Sequence, residues 1–188
     1  MINLNDSSFN GGSNIKIFND GNAGIANNVI GTKIESKQDA SNGPDYKLFF
    51  KDNNGGEVNI AFWYLDTNKE TFAKDLEKQG KALKHLAHCY LGSDYQFPAF
   101  GSPKEMLDGI IRAISSKFTT VLVRLYCTYG STLAPKKYLQ VRSYVPFIEN
   151  MITPLGDTKL RASQIDQMTR LEEDKPAAVA SAASSDVI

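Results

Sequence analysis

Three side chains that can bind metals or act as nucleophiles, His85, His88 and Cys89, lie within one turn of a predicted helix. Imidazole and thiolate groups at this spacing are typical zinc ligands. A complete site needs a further cluster of ligands, and only Cys127 is left elsewhere in the sequence. The chain also has no Walker motif, no GxGxxG after a strand and no GxSxG. We therefore expect a protein that is not an enzyme and that binds no metal or cofactor.

The predicted strands carry a different kind of chemistry, because apolar residues alternate in them with cations and aromatic rings. Successive side chains of a strand point to opposite faces of a sheet, so each strand has an apolar side and a second side. The second sides, together with two lysines that precede the last strand, comprise Lys47, Phe49, Lys51, Trp63, Arg124, Tyr126, Lys136, Lys137, Tyr138, Arg142 and Tyr144.

A face that mixes cations with rings suits single-stranded nucleic acid. Phosphates need Lys or Arg, and unpaired bases stack on flat rings whatever their sequence. A duplex binder needs no such rings, because its bases are already stacked. The residues expected to hold phosphates are Arg124, Arg142, Lys136 and Lys137, and those expected to stack bases are Tyr126, Tyr138, Tyr144 and Trp63. The alternative is that these tyrosines and Phe49 pack under the helices, with the stems of Lys and Arg covering them.

The elements that must position these residues follow from periodicity and turn chemistry. Strands are predicted at residues 28–37, 46–51, 58–65, 118–129 and 138–147. The DNNGG turn joins the second and third strands into a hairpin. Thr67 is the predicted N-cap of a helix that ends at Gly92, and Ser102, Pro103 and Glu105 begin a second helix. This order predicts a mainly-β fold, an OB-fold-like antiparallel barrel with inserted helices (α+β) and a disordered C-terminal tail.

The length of 188 residues suits one domain. We expect a flexible N-terminus at residues 1–14 and an OB-fold-like nucleic-acid-binding domain at residues 15–155. A short helix is expected at residues 156–171, and the Ala/Ser-rich composition of residues 172–188 predicts a disordered tail.

The formal net charge is zero, which argues against a generally basic binder. Residues 109–148, however, contain no Asp or Glu, whereas EED and Asp186 add acidic charge near the C-terminus. Two cysteines are too few for a disulfide framework, so we expect reduced thiols and a cytoplasmic location. The polar N-terminus does not resemble a secretory signal, and no apolar run approaches the roughly 18 to 20 residues of a membrane helix.

The order of these features resembles that of phage-type single-stranded DNA-binding proteins with an OB-fold. The resemblance runs through GIANNVIGTKIES, YKLFFKDNNGGEVNIAFWYL, a helix ending in HLAHCYLG, and the closing pair TTVLVRLYC and KKYLQVRSYVPF. It implies a five-stranded Greek-key barrel that coats single strands during replication or recombination. It also implies a tail that contacts replication or recombination proteins, although this tail is only mildly acidic and ends in Asp-Val-Ile.

The sequence therefore favours sequence-independent single-stranded DNA binding, in the host cytoplasm if the protein is phage-encoded, with no membrane partner. The alternative is a non-catalytic structural or assembly protein of a virion or scaffold, which fits the zero net charge and the Asn/Gly-rich N-terminus. An enzyme with an unrecognised site is the third hypothesis.

Overall fold

The computed structural model describes residues 16–37 and 43–171. Residues 1–15, 38–42 and 172–188 lie outside the described residues, so the predictions of a flexible N-terminus and a disordered tail fall outside them too. The regular elements are β1 (Gly24–Ser36), β2 (Tyr46–Lys51), β3 (Glu57–Phe62), α1 (Phe72–Leu91), α2 (Pro103–Phe118), β4 (Leu122–Ser131), β5 (Ala134–Val141) and β6 (Ile148–Asn150).

All strand pairs are antiparallel, and the sheet runs in the order β3-β2-β1-β4-β5 with β6 also paired to β4. The sheet curls so that β3 and β5, its two ends, approach each other without forming a ladder between described residues. Going round the barrel, the order is 1-2-3-5-4, with the helices inserted between β3 and β4. The predicted OB-fold-like architecture is confirmed, with an opening between β3 and β5.

The core lies inside the curled sheet and under both helices. The apolar sides of β2 and β4 point into it, and α1 and α2 cover it with buried leucines and isoleucines. The largest fully buried side chains are Leu48, Phe50, Leu83, Leu86, Leu107, Ile110, Ile114, Phe118, Leu125 and Ile148. Burial of this apolar surface is the main stabilising contribution to the fold.

Local sequence signals set the hairpin and the second helix. β2 pairs with β3 from Tyr46↔Phe62 to Lys51↔Glu57, which confirms the predicted hairpin. The Ser102 hydroxyl accepts a hydrogen bond from the backbone N–H of Glu105 at 3.1 Å, which confirms the N-cap of α2. The predicted start of the first helix at Thr67 is wrong, because residues 67–71 form turns and α1 begins at Phe72.

The last predicted strand, at residues 138–147, is divided in two. Arg142 donates its backbone N–H to the Tyr126 carbonyl at 2.9 Å, and Tyr126 donates its own to the Phe147 carbonyl at 2.8 Å. Residues 143–146 therefore bulge out opposite one residue of β4, between β5 and β6. Pro146 has no N–H to contribute to a ladder, which explains why the strand is interrupted there.

The predicted helix at residues 156–171 is absent from the structure. A 3-10 turn at Leu155–Asp157 is followed by an extended chain that pairs with the β4–β5 hairpin through an isolated bridge between Ser131 and Asp166. Several of its backbone hydrogen bonds are made with β4, as in the bond from the N–H of Tyr129 to the Gln167 carbonyl at 2.8 Å. We call residues 151–171 the C-terminal segment.

Neither helix in the described ranges is long and apolar enough to cross a membrane.

Gly31 allows the end of α2 to lie directly on β1. A Cβ atom at this position would lie 2.5 Å from both a ring carbon and the carbonyl oxygen of Phe118.

We expect Gly31→Ala to lower the free energy of unfolding by about 1–3 kcal/mol, measured by urea denaturation. Gly80→Ala is the matched control, because a Cβ there meets no described atom within 4 Å. In the interior of α1, this change should raise stability by about 0.5–1 kcal/mol. Equal stability of the Gly31→Ala variant and the parent protein would contradict the close approach.

His85 joins α1 to the start of β6. Its Nε2 accepts the backbone N–H of Ile148 at 3.4 Å, and its ring meets that of Phe147 at 5.3 Å between centroids. Burial lowers the pKa of His85, although the nearby carboxylate of Glu149 acts in the opposite direction. The folded protein therefore favours the neutral imidazole, which can accept this hydrogen bond.

This pKa shift predicts a loss of stability in mild acid. As the pH falls through about 6.5, the unfolded chain protonates His85 while the folded protein does not, so folding becomes less favourable. His85→Gln keeps an acceptor and removes the titration, so its stability should fall less between about pH 7 and pH 5.5. Urea denaturation of both proteins across this range measures the difference, and parallel pH profiles would show that His85 is not responsible.

Candidate nucleic-acid interface

A groove of about 640 Å³ lies at the opening between β3 and β5, with α1 along one side. Its volume lies within the range of about 300–1,000 Å³ that is usual for ligand sites. The lining includes residues 57–63 of β3 and the residues that follow it, residues 138–143 of β5 and the bulge, and Asp75, Lys78, Gln79 and Ala82 of α1. The opening of the barrel is therefore the candidate site.

Two of the predicted stacking rings line this groove from opposite sides. Trp63 follows β3 and is 51% exposed, and Tyr138 on β5 is 67% exposed. Their exposure follows from strand alternation, because the neighbouring Phe62 is buried in the core and Leu139 packs against it. Large rings left half or more in water on both sides of one groove are well placed to contact a flat ligand.

Hydrogen bonds of the next residue, Tyr64, hold the chain beside Trp63 in place. The backbone N–H of Tyr64 donates to the Asp45 carboxylate at 2.6 Å, and the Tyr64 hydroxyl donates to Asp108 on α2 at 2.8 Å. The Tyr46 hydroxyl donates to the same Asp108 oxygen at 2.9 Å. Burial, together with this bond, raises the pKa of Tyr46, so its hydroxyl stays protonated and keeps donating.

The outer face of β2 carries Lys47, Phe49 and Lys51, as predicted from alternation. Phe49 pairs with Asn59, a groove-lining residue, so this face adjoins the groove. The Phe49 ring is half-buried, and the Lys33 ammonium lies 4.3 Å from its centre. A base could stack on Phe49 only if Lys33 moved aside.

The groove is lined by charges of both signs, and two further lysines lie next to it. Lys78 of α1 lines the groove, as do Glu57 and Asp75. Lys136 and Lys137 are exposed on β5 immediately before Tyr138, and the Lys137 ammonium lies 5.6 Å from the Tyr138 ring centre. These two lysines add positive charge beside one of the two exposed rings.

Arg124 does not lie where the sequence suggested. Its side chain is 6% exposed and forms an ion pair with Glu149 of β6 at 3.2 Å. It also donates to the carbonyl of Thr153 at 2.7 Å and to the Asn27 side chain at 3.1 Å. The C-terminal segment and β6 cover this part of β4, so the expectation that Arg124 is exposed to hold phosphates is wrong.

Arg142, Tyr126 and Tyr144 form a second covered cluster. The guanidinium carbon lies 4.3 Å from the centre of the Tyr126 ring and 4.6 Å from that of Tyr144. Arg142 is paired with Asp166 at 3.2 Å, and the Tyr144 hydroxyl donates to the same carboxylate at 2.5 Å. Burial raises the pKa of both tyrosines, and the Asp166 carboxylate adds to the effect.

This cluster corrects three assignments. Tyr126 is 3% exposed, and its ring packs between Arg142 and the C-terminal segment, where its hydroxyl meets the sulfur of Met168 at 3.7 Å. Tyr144 lies in the bulge and is partly buried. The Tyr126 ring cannot stack a base in this structure, and Arg142 occupies one face of the Tyr144 ring. The Arg142 side chain is buried, although Arg142 is among the residues that line the groove.

Sequence reasoning missed several residues of the interface. The predicted site residues do not include Lys33, Asn59, Lys78, Gln79 or Gln140, which line the groove or cover a ring beside it. Strand alternation on β3 and β5 could have identified Asn59 and Gln140, which share their faces with Trp63 and Tyr138. The sequence of α1 does not predict that Gln79 lines the groove, because this depends on how α1 packs against β3 and β5, which are distant in sequence.

The three candidate metal ligands on α1 make packing contacts in this structure. His85 contacts Phe147, His88 lies against Phe97 and Cys89 is buried. Burial raises the pKa of the Cys89 thiol, so it stays protonated. In the ranges that the structure describes, no three His, Cys, Asp or Glu side chains come together as a metal site.

Comparison with known proteins does not place the chain in a family. No protein-family model matches it, and no curated protein or solved structure matches it either. The case for function therefore depends on the geometry of the groove.

Proposed function

We propose that this protein binds single-stranded DNA without a sequence requirement, in replication or recombination, and that the strand crosses the groove between β3 and β5. The observation that carries the proposal is the placement of Trp63 and Tyr138, two highly exposed rings that line opposite sides of one groove. Base stacking on such rings contributes about 1–3 kcal/mol per base and accepts any base, because every base has a flat face.

The lysines support the proposal through their position relative to the rings. Lys136 and Lys137 precede Tyr138 on β5, and Lys78 lies across the groove on α1. A strand whose bases point at the rings would have its phosphates beside these lysines. Glu57 and Asp75 also line the groove and disfavour a phosphate beside them. We therefore expect the bases to face the rings and the phosphates to follow the lysines.

The face of β2 extends the same surface. Lys47 and Lys51 flank Phe49, and their cross-strand neighbours include Glu35 and Glu57 respectively. The acids reduce the positive potential here, and Lys33 already covers the Phe49 ring. We therefore assign β2 a secondary role and expect Trp63 and Tyr138 to contribute most of the stacking.

The ring contribution can be measured by the protein's own fluorescence. Trp63 is the single tryptophan of the chain, so a base stacked near it should quench the intrinsic emission. In titrations with a single-stranded oligonucleotide, Tyr138→Ala should weaken binding by about 1–3 kcal/mol. Tyr138→Phe should cost little, because stacking needs the ring and not the hydroxyl.

Ile152→Ala is the control for the ring experiment, because Ile152 is 86% exposed on the C-terminal segment and does not line the groove. It should bind like the parent protein. A Tyr138→Ala variant that folds normally and binds with unchanged affinity would contradict the assignment of the groove. A parent protein with no preference for single strands over duplex at low salt would remove the function altogether and favour the structural or assembly alternative.

The phosphate contribution has a separate signature in the salt dependence. Changing Lys136 and Lys137 to Gln should weaken binding and flatten the plot of log K against log salt. Each lost phosphate contact should lower the slope by about 0.7. Lys117→Gln, an exposed position on α2 outside the groove lining, should leave the slope as it is. The same slope in the double variant and the parent would show that these lysines do not contact phosphates.

A further inference from the structure

Trp63 lies just beyond the end of β3, so the strand ladder alone does not fix its ring. The ladder between β2 and β3 ends at Phe62, and residues 63–66 have no regular secondary structure. An exposed ring that turns freely loses that freedom when a base stacks on it, and this loss opposes binding. A ring that is held in place before binding avoids the loss. The contacts that hold the chain at Trp63 therefore affect how tightly the groove binds.

The neighbouring residue, Tyr64, is anchored outside the groove. Its hydroxyl donates to the Asp108 carboxylate of α2 at 2.8 Å, and its backbone N–H donates to the Asp45 carboxylate at 2.6 Å. The backbone N–H of Asp45 donates to the carbonyl of Phe62 at 2.9 Å. The backbone is thus held before and after Trp63, and the side chain of Tyr64 is held at its end. Trp63 lines the groove, whereas Tyr64 is not among the described lining residues.

Asp108 accepts hydrogen bonds from three parts of the chain. Tyr64 and Tyr46 donate to its Oδ1 at 2.8 and 2.9 Å, and Lys104, one turn earlier on α2, donates to its Oδ2 at 2.8 Å. The Lys104 ammonium also lies 4.2 Å from the centre of the Tyr64 ring. Partial burial acts to raise the pKa of Asp108, but these three hydrogen bonds outweigh it and hold the pKa below its usual value. The carboxylate therefore stays ionised at neutral pH and keeps accepting the bond from Tyr64.

We propose that Asp108 is a positioning residue for Trp63, and that it keeps this ring at the groove by anchoring Tyr64 to α2. The inference rests on the proposed function, and it gives a part in binding to a helix that contributes no described residue to the groove lining. A carboxylate suits this task, because a hydrogen bond to an ionised acceptor is roughly twice as strong as one between neutral groups.

Tyr64→Phe tests the proposal, because it removes the hydroxyl that donates to Asp108 and keeps the ring. The affinity for a single-stranded oligonucleotide should fall about 2- to 10-fold, the effect of immobilising one more side chain on binding. Tyr46→Phe is the matched control, since it removes a hydrogen bond to the same oxygen of Asp108. Tyr46 belongs to the β2 ladder and is not adjacent to Trp63 in the chain, so the affinity of this variant should equal that of the parent.

A second measurement needs no DNA. Trp63 is the single tryptophan, so the decay of fluorescence anisotropy, excited at the red edge where tyrosine does not absorb, reports the motion of this ring. Tyr64→Phe should increase the amplitude of fast ring motion in the free protein, and Tyr46→Phe should not. Asp108→Ala should act like Tyr64→Phe, whereas Asp108→Asn should restore part of the order, because its amide oxygen can still accept from Tyr64. Lower stability alone does not change fast ring motion in the folded protein.

The outcomes separate this inference from the proposed function. Faster ring motion and weaker binding in Tyr64→Phe, with both properties unchanged in Tyr46→Phe, support the positioning role. The same ring motion in Tyr64→Phe and the parent, or equal losses of affinity in the two tyrosine variants, overturns that role and leaves the groove as the binding site. A parent protein that binds no single strands overturns the proposed function, and the role of Asp108 in binding with it.

Discussion

The buried guanidinium of Arg142 connects the barrel, the bulge that follows β5 and the C-terminal segment. Its bonds to Asp166 and to the Arg161 carbonyl attach the C-terminal segment to the barrel, and its bond to the Pro146 carbonyl shapes the bulge between β5 and β6. Burying a charge is costly unless it is paired and hydrogen-bonded, and loss of one partner leaves the other uncompensated. The position of Arg142 at the groove is therefore a consequence of how the chain folds around it.

The opening between β3 and β5 follows from a second constraint. An exposed strand edge invites pairing with other chains, and proteins protect such edges with proline and lysine. β5 begins with Ala134, Pro135, Lys136 and Lys137, all exposed, so this edge is poorly suited to closing the barrel or to pairing with another molecule. The same lysines place positive charge beside Tyr138. The same four residues thus protect the strand edge and provide the lysines beside the groove.

Much of the fold could be predicted because its signals are local. The DNNGG turn specifies the β2–β3 hairpin, and alternation places Trp63 and Tyr138 on the sides of their strands that face water. Alternation predicts which side of a strand a residue occupies, but it does not predict which other residues cover that side. Arg124 and Tyr126 were assigned to the correct side of β4, but residues far along the chain cover it, as in the contact of Tyr126 with Met168. The predicted helix at residues 156–171 does not form, and the apolar residues there do not share one buried face. Leu160 is buried, while Ile165 and Leu171 are exposed.

Because Arg124 and Arg142 are buried, fewer cations are available at the candidate interface than the sequence predicts. Glu149 and Asp166 neutralise them inside the fold, so the acid-free stretch at residues 109–148 is less basic in three dimensions than in sequence. The cations left at or beside the groove are lysines on flexible stems, and exposed charges are screened by salt. The rings are not subject to that screening, because stacking depends on contact area and on the flat faces of the bases. Under the proposed function, we therefore expect an interface of this composition to derive more of its affinity from bases than from phosphates and to favour single strands, whose bases are accessible, over duplexes, whose bases are not.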